Sequence, residues 1–356
     1  MNSAGPALLV TDELDGWEHQ WDQLVDLSPL PSPFLRSWWL KGTKASTARF
    51  LIVVAEERLL GGLALDEGRM LGLKCYRLTG SNGHLCPDHL DIVAAPGYED
   101  ITTRLLRGWL CRPGGRLIDL TGVRAGSRLI EALPGSAHLT PFAVAPWTSL
   151  PRDPDTYLAS LPSQFRRQVR RASVRLTAAG ALHRARRGPS AVDALETLRT
   201  LHQHQWGDRS RFLPDFDHFV AGCRLGAEAD EVVVHELATD SAVIAVLVAF
   251  EVAGRVSLYQ SARSVDAEWR EAASVLLTTV ITEACARGFA EVDFLRGDEP
   301  YKGRYAQGRR QMVRLLAGNG GAAQVASMAL TTVAATRPAA VQLVRAVRSR
   351  FEPSRS

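Results

Sequence analysis

Apolar and polar positions change their period along the chain, and the changes divide it. Near the start, Trp17–Leu27 and Leu35–Lys41 carry helical spacing; FLIVVAEE and LLGGLALDEG are short apolar runs around turn residues, the mark of strands. A Gly-, Asn- and Pro-rich stretch, RLTGSNGHLCPDHLDIVAAPG, follows, and a helix over Glu99–Leu110 leads through CRPGG to the strand RLIDLTG. Three prolines in PWTSLPRDP predict a linker near Pro146 to Pro154, because each fixes its own φ and restricts the residue before it. The expected units are therefore 1–150, 151–318 and a basic helical tail, 319–356.

The second unit is more regular. Phe165, Val169, Ala172 and Leu176 recur at helical spacing in SQFRRQVRRASVRLTAAG, with Gly180 as the stop. Ser190 with Asp193 resembles a capping box opening a helix that turns Val192, Leu195, Leu198 and Leu201 inward and ends near Trp206. From Glu231 the runs EVVVHELA, VIAVLVAFE and RVSLYQSA have strand character, and their short turns at Asp240-Ser241 and Ala253-Gly254 join only antiparallel neighbours. A long helix follows, burying Trp269, Ala273, Leu276, Leu277, Val280, Ile281 and Ala284, and then the strand AEVDFL. The order predicts a layered α/β fold of the acyltransferase sandwich kind. RLIDLTG and EVDFLRG each follow a helix, carry an Asp mid-strand and end at Gly, an internal echo that supports duplication.

Composition adds limits. With 356 residues the chain exceeds what one core usually serves, and 46% hydrophobic with 22% charged residues is ordinary globular usage. No apolar run approaches a bilayer-spanning length and the N-terminal residues include acids where a secretory signal is basic, so a cytoplasmic protein is expected. Cys75, Cys86, Cys111, Cys223 and Cys285 lie far apart, so neither a disulfide framework nor a zinc site is expected. His202 and His204 point different ways on a helix, and His84, Cys86 and His89 lack a second ligand pair; no metal is expected there either.

Charge is uneven. Residues 1–150 hold 16 acids and 14 bases, whereas 151–356 hold 22 acids and 28 bases. No acid stands between Thr156 and Val192, where Arg166, Arg167, Arg170, Arg171, Arg175, Arg184, Arg186 and Arg187 gather. A second acid-free zone, Pro300 to Phe351, opens with Lys302, Arg304, Arg309, Arg310 and Arg314. The zones are either solvated faces or sites for an anionic partner such as a phosphate-rich cofactor, RNA or a membrane surface. The tail RPAAVQLVRAVRSRF reads as an amphipathic helix that docks on the body or touches an anionic membrane.

The densest chemistry is VDFLRGDEPYKGRYA, Val292–Ala306. Arg296-Gly297 ends a strand, and Pro300 holds Glu299 extended, so Asp298, Glu299, Tyr301 and Lys302 project from a loop at the strand's carboxyl end. Ligands commonly bind there in open α/β sheets, and carboxylates, a phenol and an ammonium offer proton transfer and anion stabilisation.

This segment resembles the signature that ends the catalytic domain of GNAT-type acetyltransferases of the CelD-like, cellulose-biosynthesis-associated kind, which are related to Fem-type aminoacyltransferases. The resemblance extends through FRRQVRRASVRL, Leu201, His202 and Trp206, the meander and the long helix, and faintly to PDHLDIVAAPG. It implies tandem GNAT-like domains, the first degenerate and the second catalytic, with acetyl-CoA or another acyl-CoA as co-substrate. By that analogy Asp293 or Glu299 is the base and Tyr301 the proton donor. Tyr259, Gln260 and Ser261 lie near the reacting carbonyl, and Lys302 and Arg296 bind phosphate or carboxylate. Arg270 and Ser274 serve pyrophosphate if the long helix starts near Ala272, whereas a start at Asp266 would leave an acidic first turn. Asp298, Arg166, Arg167, Arg170 and Arg171 are further anion- or substrate-binding candidates. On the bland reading, Tyr259 is a packed aromatic and Asp298, Glu299 and Lys302 are surface ion pairs.

Three functions fit these features: N-acyl transfer from acyl-CoA to an amine of a small molecule, amino sugar or cell-envelope precursor; a Fem-type transfer from aminoacyl-tRNA; or an inactive scaffold in polysaccharide or envelope assembly.

Overall fold

The computed structural model describes residues 5–81 and 83–332. Its first half contains β1 (Ala7–Thr11), α1 (Glu18–Asp26), α2 (Ser37–Thr43), β2 (Ala48–Ala55), β3 (Arg58–Met70), β4 (Leu73–Leu78), β5 (Val93–Ala94), α3 (Glu99–Leu110), β6 (Arg116–Arg124), α4 (Leu129–Ala132) and β7 (His138–Ser149). The second contains α5 (Pro154–Ser160), α6 (Ser163–Ala178), β8 (Leu182–Arg186), α7 (Pro189–Trp206), α8 (Phe216–Glu228), β9 (Val232–Ala238), β10 (Val243–Val252), β11 (Arg255–Arg263), α9 (Ala272–Ala286), β12 (Glu291–Asp293) and β13 (Gly308–Asn319). Residues 321–332 are helical, and the amphipathic segment expected from Pro338 onward lies outside the described residues.

All thirteen strands join one sheet in the order β1-β2-β3-β4-β6-β13-β7-β12-β11-β10-β9-β8, with β5 beside β3. The order is nearly symmetric about the β13–β7 pair. In each half four antiparallel strands lead to one parallel junction, β4–β6 or β11–β12, and each junction pairs over three residues only. The last strand of each half is exchanged: β7 lies against β12, and β13 against β6, all antiparallel. The echo between RLIDLTG and EVDFLRG has a physical counterpart, since β6 and β12 occupy matching places. Their aspartates meet arginines of the same strand, Asp119 with Arg314 at 2.6 Å and Asp293 with Arg310 at 3.3 Å.

The predicted meander is present, and its second turn has Ala253 and Gly254 at φ 46° and 74°, the pair of positive values that a tight hairpin requires. Helices α5, α6 and α9 cover one face of the second half around Tyr157, Phe165, Leu176 and Ile281. The other core runs across both halves and joins Phe34 and Trp39 to Phe219 and Phe250. There α2 crosses α8 at Gly42, where a Cβ would lie 2.3 Å from the Gly222 Cα. The join is shorter than its prolines predict: β7 continues through Pro146 and Trp147 to Ser149, and Asp153 then caps α5 by accepting from Asp155 and Thr156. The acid-free zone from Pro300 is neutralised in part within the fold: Arg309, Arg310, Arg314 and Lys302 pair with Asp298, Glu291, Asp119 and Glu299, whereas Arg304 lies over the Phe165 ring.

Candidate active site

Because β11 and β12 part after Ser257 and Asp293, the rest of β11 has no neighbour on that side, and its peptide groups pointing there stay open. A bulge adds to this. Val248 pairs with Gln260 and Ala249 with Leu258, so Tyr259 is the extra residue, with its peptide unpaired across the ladder. Beneath the gap is a cavity of about 530 Å³. Gln260, Ser261, Ala273, Ser274, Glu299, Tyr301 and Lys302 line it, with His202 and Trp206 of α7 and Leu85, Cys86 and Asp88 from the first half.

The helix register falls on the side that leaves an anion site. α9 starts at Ala272, so the N–H groups of Ala272, Ala273 and Ser274 precede the first intrahelical donor, the Val275 N–H that bonds to the Glu271 carbonyl, and sit at the positive end of the helix. Two of the acids before it, Glu271 and Asp266, have partners. Glu271 bonds to Arg175 at 2.6 Å and Arg270 at 2.8 Å. Burial opposes ionisation of Glu271, but the Arg270 and Arg175 contacts prevail and lower its pKa. Asp266 accepts from Ser264 at 2.7 Å.

Several expected roles do not fit the geometry. Asp293 is fully buried and does not line the cavity: Oδ2 lies 2.9 Å from His89 Nε2, 3.0 Å from Arg255 and 3.3 Å from Arg310, while Oδ1 accepts from the Leu295 N–H. Burial would raise its pKa, yet His89, Arg255 and that N–H hold it far below the carboxylate range. It is an anchor for the strand end and an unsuitable base. Tyr259 donates to the Leu85 carbonyl and packs on Phe219 and Phe250 at centroid distances of 5.4 and 5.2 Å, so its phenol is structural. Arg296, expected to bind an anion, is held by Asp88, to which its Nε and backbone N–H donate at 2.5 and 2.6 Å, and it also donates to the Pro87 carbonyl. Lys302 is buried, donating to the Arg296 carbonyl at 2.6 Å and pairing with Glu299 at 3.0 Å, which closes the 295–302 loop on itself.

The other candidates divide. Gln260, Ser261, Arg270, Ser274, Glu299 and Tyr301 converge on the cavity. Burial and Glu299 push the Tyr301 phenol up to about 12. Asp298 lies outside and pairs with Arg309 at 2.7 Å. Arg166 caps α5 through the Leu158 and Ala159 carbonyls. Arg167, Arg170 and Arg171 are exposed on α6, away from the cavity wall and without a hydrogen-bond or ion-pair partner among the described residues.

In the sequence, His202 carries no signal beyond its spacing from His204 and its place beside Leu201 and Trp206. It lines the cavity at 7% exposure, and its Nδ1 is buried without a partner. Burial lowers its pKa, so the imidazole is neutral near pH 7 and able to accept a proton. Asp88 and His89 in PDHLD were legible only as a faint resemblance, yet both grip the DFLRG strand end.

Residues 163–303 match the acetyltransferase (GNAT) domain family, a stretch that runs from α6 to the loop after β12. No curated protein matches the chain in sequence. FemX superposes with a TM-score of 0.61 at 11% identity, covering 83% of this chain and 95% of that one. A conserved protein of unknown function from Bacteroides thetaiotaomicron gives 0.60 at 10% identity, covering 87% and 99%. L-PGS from Bacillus licheniformis gives 0.58 at 10% identity, covering 90% and 97%. At these identities the likeness is one of fold.

Proposed function

We propose that the chain is an N-acyltransferase that moves an acyl group from acyl-CoA to an amine on a small molecule, an amino sugar or a cell-envelope precursor, as its CelD-like resemblance implies. The observation that carries this is the open start of α9 beside the splayed β11, together in one cavity. The N–H groups of Ala273 and Ser274, with Arg270 at the rim, suit a pyrophosphate. The unpaired peptides near Tyr259 and Gln260 suit a carbonyl oxygen that gains negative charge during attack. CoA supplies the activated thioester; the chain supplies placement and proton transfer. His202 takes the proton from the attacking amine, and Tyr301 gives one to the departing thiolate, so no covalent acyl-enzyme is required. Glu299, exposed and tied to Lys302, is the alternative base.

Calorimetric titration with acetyl-CoA tests this reading, with Ser274→Glu as the control that puts a negative charge in the first turn. Saturable binding lost in the variant is expected. Absence of binding to the wild type would remove acyl-CoA as donor.

The unpartnered Arg167, Arg170 and Arg171 favour a second reading, in which aminoacyl-tRNA is the donor and α6 meets the RNA backbone. Binding would then weaken steeply with salt. A gel shift with bulk tRNA that is weak even at low salt, or unchanged by replacing the three arginines with alanine, rejects it.

A further inference from the structure

We propose a divalent transition-metal site, of the kind that takes Zn²⁺, built by His183 of β8, His235 of β9 and Glu283 of α9. One ligand atom from each lies within 4.8 Å of the others. His183 Nε2 lies 3.1 Å from His235 Nδ1, and the other His183 nitrogen, Nδ1, lies 3.6 Å from Glu283 Oε2; a single ion takes one nitrogen of that ring, with the three chosen atoms inside that 4.8 Å. Two imidazole nitrogens bound at about 2.0–2.1 Å to a tetrahedral ion stand roughly 3.3 Å apart, so the pair already has nearly the required separation. The chemistry of the set agrees: two nitrogens and one carboxylate oxygen leave a fourth position for water on the half-buried side of His183 and Glu283.

The placement of the His235 ring fits the same site. His235 is buried at 2% exposure, and its Nδ1 faces the His183 Nε2 at 3.1 Å, which turns that nitrogen toward the trio. Arg187 and Arg287 lie near the His235 ring. The two arginines do not confront the ion unopposed, since both pair with Glu251.

Position assigns the role. Glu283 is nine residues beyond Ser274 on α9, about 14 Å along the helix axis from the turn that lines the cavity. The ion would act there as a clamp, fastening β8, which has a single sheet neighbour, to the helix that carries the acyl-donor site. The inference stands whether or not that donor is acyl-CoA.

Untagged full-length protein, stripped with a chelator, is titrated with Zn²⁺ by calorimetry and with Co²⁺ by visible absorption. One equivalent of Zn²⁺, tetrahedral Co²⁺ bands and a Zn²⁺-dependent rise in Tm are expected. His183→Gln and Glu283→Gln, both at half-exposed positions, should each weaken binding by about tenfold or more. No saturable Zn²⁺ binding, or equal binding in both variants, would show that the trio is a hydrogen-bonded Glu–His–His chain only. Should His235→Gln fail to fold, the other two variants still decide the question.

Discussion

Asp88 and Arg296 join the two halves of the chain at the cavity wall: one carboxylate oxygen accepts the Arg296 Nε at 2.5 Å and the other accepts its backbone N–H at 2.6 Å. Asp88 is fully buried. Removing Asp88 would leave the guanidinium with the Pro87 carbonyl but no carboxylate, and would free the strand end that leads to Glu299 and Tyr301. Asp88→Ala is expected to lose about 3–5 kcal/mol in urea denaturation. A loss below about 1 kcal/mol would mean that the pair contributes little beyond its desolvation.

Asp293 makes a pH-dependent contribution whose sign follows from its depressed pKa. The unfolded carboxyl titrates near about 3.9, and the folded one titrates far lower. Stabilisation is therefore complete above the unfolded value and declines as pH falls toward the folded one. The stability gap between wild type and Asp293→Asn should be constant from about pH 6 to 8 and shrink below about pH 4. A gap that widens on acidification would contradict the ion cluster with His89, Arg255 and Arg310.

His202 is expected to act on rate and not on donor affinity. His202→Gln should lower kcat by about 10²–10⁴-fold, the usual range for loss of a general base, with acetyl-CoA affinity unchanged. In the wild type, activity should fall on an acid limb below the ordinary imidazole value of about 6.5, because burial lowers the His202 pKa. Persistence of that limb in the variant would shift the role to Glu299.

Gly297 stands at φ 121°, and a Cβ there would lie 2.3 Å from the Glu299 carboxylate. Gly297→Ala should destabilise the protein by about 1–3 kcal/mol through backbone strain. It should also displace Glu299 and Tyr301 and lower turnover. Unchanged stability and turnover would show that the 295–302 loop tolerates another path.

Local pattern made much of the second half legible. Helical spacing located α6, α7 and α9, and three strand-like runs with short turns gave the β9–β11 meander, because amphipathic periodicity and turn chemistry are encoded within a few residues. The loop that follows Asp293 borders the cavity through Glu299 and Tyr301. Exchange of β7 and β13 was hidden, since pairing between strands more than a hundred residues apart leaves no local period; the same holds for the arginines of β13, which read as a free basic zone. Only tertiary structure could assign the buried charges. Whether Asp293 is a base or an anchor depends on His89, Arg255 and Arg310, which come from three other segments. Whether His202 is a packed histidine or a proton acceptor depends on which surface α7 presents to the gap between β11 and β12. Sequence by itself determined the amphipathic helices and the meander of the second half, but not β8, α8 or β13; the long-range fields and contacts that set each ionisable group's charge and access were decided by the fold, because Coulomb and desolvation energies depend on distance in space and not along the chain.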